Sequence, residues 1–208
     1  NNIKLKLQET NREHLTPEEI GKIESLKLTP LNRLYDAKEI FLFENYTGIR
    51  IADILTLKWK SYQGKELRFL IRKTKKNTIL PLCDKADRML QIRQHRLRHH
   101  KIDINPDAYI FNILPQNFEK LNAEEALNAI NSSTAIINAK LKEIAVAVGI
   151  KKKISTHVGR HTFATTLISR GAGIYDVQEL LGHANIKTTM IYAKVIDERK
   201  RKVINLLN

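Results

Sequence analysis

Apolar residues recur at helical spacing along most of this chain and give way once, in the middle, to short runs that read as strands. Thr16-Pro17-Glu18-Glu19 predicts a helix start: Thr caps, Pro takes the first helical position and the acids face the positive dipole end, with the helix running to about Leu26. Leu34, Ala37, Ile40, Phe41 and Phe43 predict a long helix over about 31–47, ended by Thr47-Gly48, and a short one follows over 51–57. Lys58–Tyr62, Leu67–Ile71 and Thr78–Leu82 predict three strands, with Gln63-Gly64 as a turn and Pro81 marking an edge. Between the last two strands, Arg72-Lys73-Thr74-Lys75-Lys76-Asn77 forms a basic hairpin tip. Further helices are predicted over 85–100, 134–148, 160–170, 174–181 and 185–207, the last with a break after Ala193. The expected class is mainly α with a small three-stranded antiparallel β-sheet.

Charge changes the picture more than size does. The chain has 208 residues, enough for one sizeable core, and 36 Lys plus Arg against 22 Asp plus Glu, a formal net charge of +14. That excess is concentrated: residues 58–101 hold 14 basic and 3 acidic side chains and residues 151–208 hold 11 and 4, while 102–150 is net acidic. Two basic blocks around an acidic insert fit one basic face, and therefore a polyanionic partner, better than even decoration. Neither block carries an amphipathic anchor rich in Trp or Phe, which argues against a membrane surface. A single cysteine, Cys83, excludes an internal disulfide framework and any multi-cysteine zinc site.

Several kinds of chemistry are missing from the sequence. It has no GxxxxGK phosphate loop, no Rossmann glycine fingerprint and no HExxH. His95, His99 and His100 include an i, i+4 pair, but Arg93, Arg96, Arg98 and Lys101 surround them and would repel a dication. No metal or cofactor is expected.

The C-terminal third holds the informative stretches: His157-Val158-Gly159-Arg160-His161-Thr162-Phe163-Ala164-Thr165, then Leu180-Leu181-Gly182-His183-Ala184-Asn185-Ile186-Lys187-Thr188-Thr189, then Tyr192. His157 and Arg160, three apart, share one face at a helix start. Upstream stands Thr47-Gly48-Ile49-Arg50-Ile51-Ala52-Asp53-Ile54-Leu55, followed by the basic hairpin. Each feature alone is ordinary. In this order, with a small sheet between the first Arg and the His, they resemble the tyrosine recombinases, also called phage-type integrases, and most closely those of bacterial conjugative transposons and related mobile elements. The matching segments run from Leu15 to Ala193.

That resemblance implies the integrase catalytic-domain fold and a site made of Arg50, Lys73, His157, Arg160, His183 and Tyr192. Lys73 is assigned by spacing, eight residues before Pro81. It departs from the family pattern in Gly159, where larger residues are commoner, and in Asp53, where Glu is frequent; Asp53 is expected to order Arg50 or the adjoining helix. The implied reaction breaks and rejoins DNA through a 3′-phosphotyrosine intermediate, without metal or ATP. Tyr192 is the nucleophile, His157 takes its proton, Arg50 and Arg160 hold the phosphate, His183 adds a hydrogen bond and Lys73 protonates the leaving oxygen. Arg72, Thr74, Lys75 and Lys76 are expected at the DNA backbone. Residues 1–15 show no sustained period and are read as a linker from an N-terminal core-binding domain, the initial Asn being expected of a fragment of a longer chain. Residues 16–193 are the catalytic domain, and 194–208 a tail helix exchanged between protomers of a synaptic homotetramer. An isolated fragment would be a monomer, and the setting bacterial cytoplasm and nucleoid. Two alternatives differ in function: a type IB topoisomerase-like nicking and relaxing enzyme, or a catalytically silent DNA-binding module of the same fold.

Overall fold

The computed structural model describes residues 13–192 together with Ile204 and Asn205. Nine regular elements are present among them: α1 (Pro17–Ser25), α2 (Tyr35–Thr47), α3 (Ile51–Leu55), β1 (Glu66–Leu70), β2 (Asn77–Pro81), α4 (Asp84–His99), α5 (Ala123–Ala147), α6 (Thr156–Ser169) and α7 (Ile174–Leu180). Short 3-10 turns occupy Trp59–Ser61, Phe118–Lys120, Ile186–Thr188 and Met190–Tyr192.

α2 is the central post. Ala37, Ile40, Phe41, Leu42, Phe43, Glu44 and Thr47 are all buried, and the helix packs against α4, α5 and α6. A helix covered on nearly every side belongs in an interior. Gly48, at φ +66°, ends it in the left-handed region, and a methyl group there would strike Phe163 at 2.4 Å. Both the backbone and the packing therefore select glycine. A smaller cluster of Ala164, Ile168, Val177, Leu181 and Tyr192 joins α6, α7 and the last turn.

The structure corrects the expected sheet. Among the described residues it has two strands, β1 and β2, antiparallel with Leu67 opposite Leu80 and Phe69 opposite Thr78. The segment predicted as a third strand makes a 3-10 turn, touching its neighbours only through isolated bridges, Lys58 to Tyr109 and Tyr62 to Leu67. The reason lies in its donors: the Trp59 and Lys60 N–H groups go to the Ala108 and Pro106 carbonyls at 3.0 and 2.8 Å. Those donors are not available for a ladder with β1.

Helix ends also moved. α5 begins eleven residues before the predicted start, because Asn122 accepts from the Glu124 and Glu125 N–H groups while Glu125 bonds back to the Asn122 N–H. This capping box lies in a stretch where no helix is predicted. α2 starts at Tyr35 rather than near Leu31, since 29–35 closes as successive turns and leaves Leu31 98% exposed. α6 begins at Thr156, so His157 lies inside the helix rather than before it. The helix predicted over 185–207 is replaced up to Tyr192 by two 3-10 turns. Most of the tail, and residues 1–12, lie outside the described residues.

Candidate functional site

Four of the six expected catalytic residues, Arg50, His157, Arg160 and His183, sit on or beside three elements, α3, α6 and α7. Arg50 is the residue before α3, Arg160 is in the second turn of α6, and Leu181-Gly182-His183 leaves the end of α7. Arg160 Nη2 donates to the Leu181 carbonyl at 2.6 Å, and its Nη1 donates to the Gly48 carbonyl. Arg50 Nη2 reaches the next carbonyl, Gly182, at 3.4 Å. Two guanidiniums from opposite ends of the sequence are thus held on adjacent peptide groups.

Their mutual charge bears on their ionisation. Burial first, then Arg50, pulls Arg160 down to about 10, opposed by Glu44, Tyr192 and Asp53. Burial also lowers Arg50, with Asp53 opposing. An arginine keeps its proton at neutral pH even so, so the site holds two close cations with few countercharges. An anion that accepts planar, paired donors is the ligand such a site favours.

His183 follows Gly182 and accepts or donates through Nδ1 to Thr189 Oγ1 at 2.9 Å. Burial, then Arg160, Arg50, His161 and Lys73, hold its imidazole down to about 4, so the ring is neutral at neutral pH. Gly182 itself has φ +57°, and a methyl there would meet Ile71 Cδ1 at 2.6 Å. The loop therefore fits between the hairpin and Arg50 only as glycine.

Tyr192 is 5% exposed, and its Oη lies 2.6 Å from His161 Nδ1, with the two rings crossing at 62°. Its charge acts on Arg160, so the phenol shares the neighbourhood of the guanidiniums. His157 stands exposed on the first turn of α6. No hydrogen bond joins it to the others among the described residues.

The hairpin tip is exposed from Arg72 to Asn77. Ile71 N–H donates to Lys76 O at 3.0 Å and Lys75 N–H to Ile71 O at 2.8 Å, with Lys75 at φ +55°. Thr74 and Lys76 line a cavity of about 500 Å³ together with Gly182 and His183. Arg72 and Lys75 line a different one, of about 440 Å³, whose wall includes Asp53. Lys73 touches the site through its charge on His183. Asp53 is buried, and its Oδ1 accepts the Arg72 N–H at 2.9 Å, so its direct bond ties down the hairpin rather than Arg50. Burial raises its carboxyl, offset by that bond and by Arg50, Arg160 and Arg72.

Two residues escaped the sequence reading. His161 is adjacent to Arg160, inside the quoted stretch, yet its pairing with Tyr192 depends on where residues 190–192 turn back. Glu44 sits where an amphipathic pattern predicts an apolar residue, and a charge at such a position is the signal that could have marked it. No cluster of ligand-type side chains able to hold a metal occurs among the described residues, and no helix among them is long and apolar enough to cross a membrane.

A two-arginine, histidine and tyrosine site on a mainly helical scaffold with one hairpin defines a class, and comparison with known proteins agrees with it. The phage integrase family model matches residues 14–199, and the chain belongs to that family. A tyrosine recombinase of Thermosipho africanus is 33% identical over 165 residues, 78% of this chain and 50% of that protein. A XerC-like tyrosine recombinase of Caldanaerobacter subterraneus subsp. tengcongensis is 30% identical over 226 aligned positions, 96% of this chain and 55% of that protein. The chain spans about half the length of the curated relatives it matches. Among solved structures, XerA recombinase superposes with a TM-score of 0.65 at 24% identity, covering 95% of this chain and 65% of that one. The Tn1549 transposon integrase bound to transposon right end DNA gives 0.61 at 19%, covering 94% and 66%. These likenesses show a shared fold.

Proposed function

We propose that this chain is the catalytic domain of a site-specific DNA recombinase, cleaving and rejoining double-stranded DNA through a 3′-phosphotyrosine. The observation that carries this reading is the anchoring of Arg50 and Arg160 on the adjacent Gly182 and Leu181 carbonyls, beside a neutral His183. In the proposed step Tyr192 Oη attacks the phosphorus in line, the P–O5′ bond breaks and the phenolic proton passes to a histidine. Lys73 supplies the proton that the departing 5′-oxygen needs. Arg50 and Arg160 hold the non-bridging oxygens, where charge accumulates, and each is worth about 10²–10³ in rate by analogy with other preorganised donors. His183 adds a hydrogen bond. The new ester keeps the energy of the old one, so a second 5′-hydroxyl reverses the step without ATP, and the two guanidiniums do the work elsewhere given to metal ions.

The resemblance assigns the phenolic proton to His157. The 2.6 Å approach of His161 Nδ1 to Tyr192 Oη favours a second reading, in which His161 holds that proton until Tyr192 swings to the phosphate. Arg72, Thr74, Lys75 and Lys76 meet the DNA backbone, supported by the exposure of the whole tip. In the same reading, residues 1–15 link to a core-binding domain, 16–193 form the catalytic domain and 194–208 pass between protomers of a DNA-bound homotetramer. The isolated chain is monomeric, and the site of action is nucleoid DNA in bacterial cytoplasm.

A nicked duplex carrying the attachment site tests the core of this. It should trap a covalent protein–DNA adduct with the wild-type chain and none with Tyr192→Phe, while duplex binding persists. An adduct that survives in Tyr192→Phe removes Tyr192 from the role. Relaxation of supercoiled DNA with no exchanged product would support the topoisomerase-like alternative instead.

A further inference from the structure

The proposed chemistry leaves unused a buried carboxyl with an unpartnered oxygen. Glu44 lies one turn before Gly48 on α2 and is 2% exposed. Its main-chain carbonyl accepts the Gly48 N–H at 2.8 Å, and Gly48 supplies the carbonyl that holds Arg160 Nη1. Its side chain runs to α6, where a methyl placed on Gly159 would stand 3.1 Å from Glu44 Oε2 and 3.2 Å from Phe41. Gly159 is not in the left-handed region. Its missing side chain therefore serves space, not backbone conformation, and the space is taken by Glu44 and Phe41. Glu44 Oε2 is buried with no hydrogen-bond partner among the described residues.

A carboxylate enclosed in this way and short of donors is strongly disfavoured in its charged form. Nη1 and Nη2 of Arg160, meanwhile, both go to uncharged carbonyls, and no ion pair joins its guanidinium among the described residues.

We propose that Glu44 is a positioning residue for Arg160, a neutral carboxyl lodged in the gap left by Gly159 that leaves the guanidinium charge free for a bound phosphate. Ionising Glu44 places a negative charge behind Arg160 and weakens its hold on the phosphate. By reciprocity, an anion beside Arg160 makes Glu44 hold its proton more tightly. The inference rests on the recombinase reading for the identity of the anion. Burial does hold this carboxyl well above the usual range, and Arg160, from α6, is the charge that opposes it. α2 also packs against α1, α3, α4 and α5. Burial and the Arg160 charge are the two influences on it among the described residues.

The experiment follows the Glu44 carboxyl directly, by carbon-detected NMR of the 208-residue chain labelled at glutamate. Glu44→Gln identifies the resonance by its loss, and Gly159→Ala identifies it independently, because the added methyl meets Oε2. The carboxyl should titrate above the exposed glutamates, and replacing chloride by sulfate, a phosphate-shaped dianion, at equal ionic strength should move its midpoint further up. A Glu44 that titrates with the exposed glutamates, or whose midpoint sulfate leaves in place, overturns the proposal. In adduct formation on the nicked duplex, the ratio of Glu44→Gln to wild-type rates should rise about tenfold between about pH 6 and about pH 9. A constant ratio also overturns it. A wild-type chain that forms no adduct at any pH counts against the recombinase reading, and the sulfate titration still decides the role of Glu44.

Discussion

At the scale of single residues, charge and proton inventory govern the site. His183 is neutral because burial and two guanidiniums resist a third cation. Its folded value, about 4, lies below the ordinary 6.5. The unfolded chain therefore takes up the proton first as pH falls, and the stability this residue contributes is complete above about 6.5 and lost down to about 4. Unfolding midpoints measured across that window should fall more steeply for wild type than for His183→Gln; parallel curves would mean the imidazole is not so depressed. The Arg160 fork makes a second prediction. Arg160→Lys keeps a charge but cannot donate to Gly48 and Leu181 at once, so adduct formation should drop about 10²–10³-fold with duplex affinity changed far less. Single-turnover cleavage beside an equilibrium binding assay separates the two. His157→Leu and His161→Leu, compared in the same assay, assign the phenolic proton: the variant with the larger loss in cleavage rate near neutral pH, recovering as pH rises toward the ordinary phenol value of about 10, marks the acceptor.

Among elements, the hairpin and the Gly182 loop form one unit. Asp53 Oδ1 holds the Arg72 N–H, and Ile71 packs where Gly182 has no side chain. Asp53→Asn weakens that tether, and Gly182→Ala adds both a left-handed backbone penalty of about 1 kcal/mol and a clash with Ile71. Both variants should raise amide exchange at 71–76 and slow cleavage about tenfold or more by misplacing Lys73, whereas exchange in α1, which packs on α2, stays at the wild-type rate. Unchanged exchange at the tip would break the link. Here the sequence was a partial guide. Lys73 and its neighbours were found as a tip because alternation and Pro81 frame them. The extra strand was predicted because Lys58–Tyr62 has strand composition, and composition does not say which partner takes the Trp59 and Lys60 donors.

For the whole molecule, the tip of the first basic block meets the loop after α7, where Thr74 and Lys76 line one cavity with Gly182 and His183. Polyanion affinity should accordingly depend steeply on salt. If 6–10 phosphates are neutralised, duplex affinity falls about 10³–10⁵-fold between 50 and 200 mM salt. A slope near zero in a log–log plot would leave the charge as mere surface decoration. Stability has a separate origin, in α2. Phe41 and Phe43 are wholly buried there, and Phe41→Ala should cost about 3–5 kcal/mol in denaturant unfolding. It should also loosen Glu44 and Gly159, which share its space.

Resemblance to the family, not local pattern, pointed to the two arginines, His183 and Tyr192; the sequence by itself determined the helical class and the basic hairpin. Those follow from periodicity, turn chemistry and residue spacing, which are local properties. Only the tertiary structure decided that Arg50 and Arg160 rest on neighbouring carbonyls, that Tyr192 faces His161, that Asp53 holds the hairpin, and that Glu44 and Phe41 lie against Gly159. Each of these pairs groups about 20 to 130 positions apart, and a linear pattern holds no term for distance across a fold.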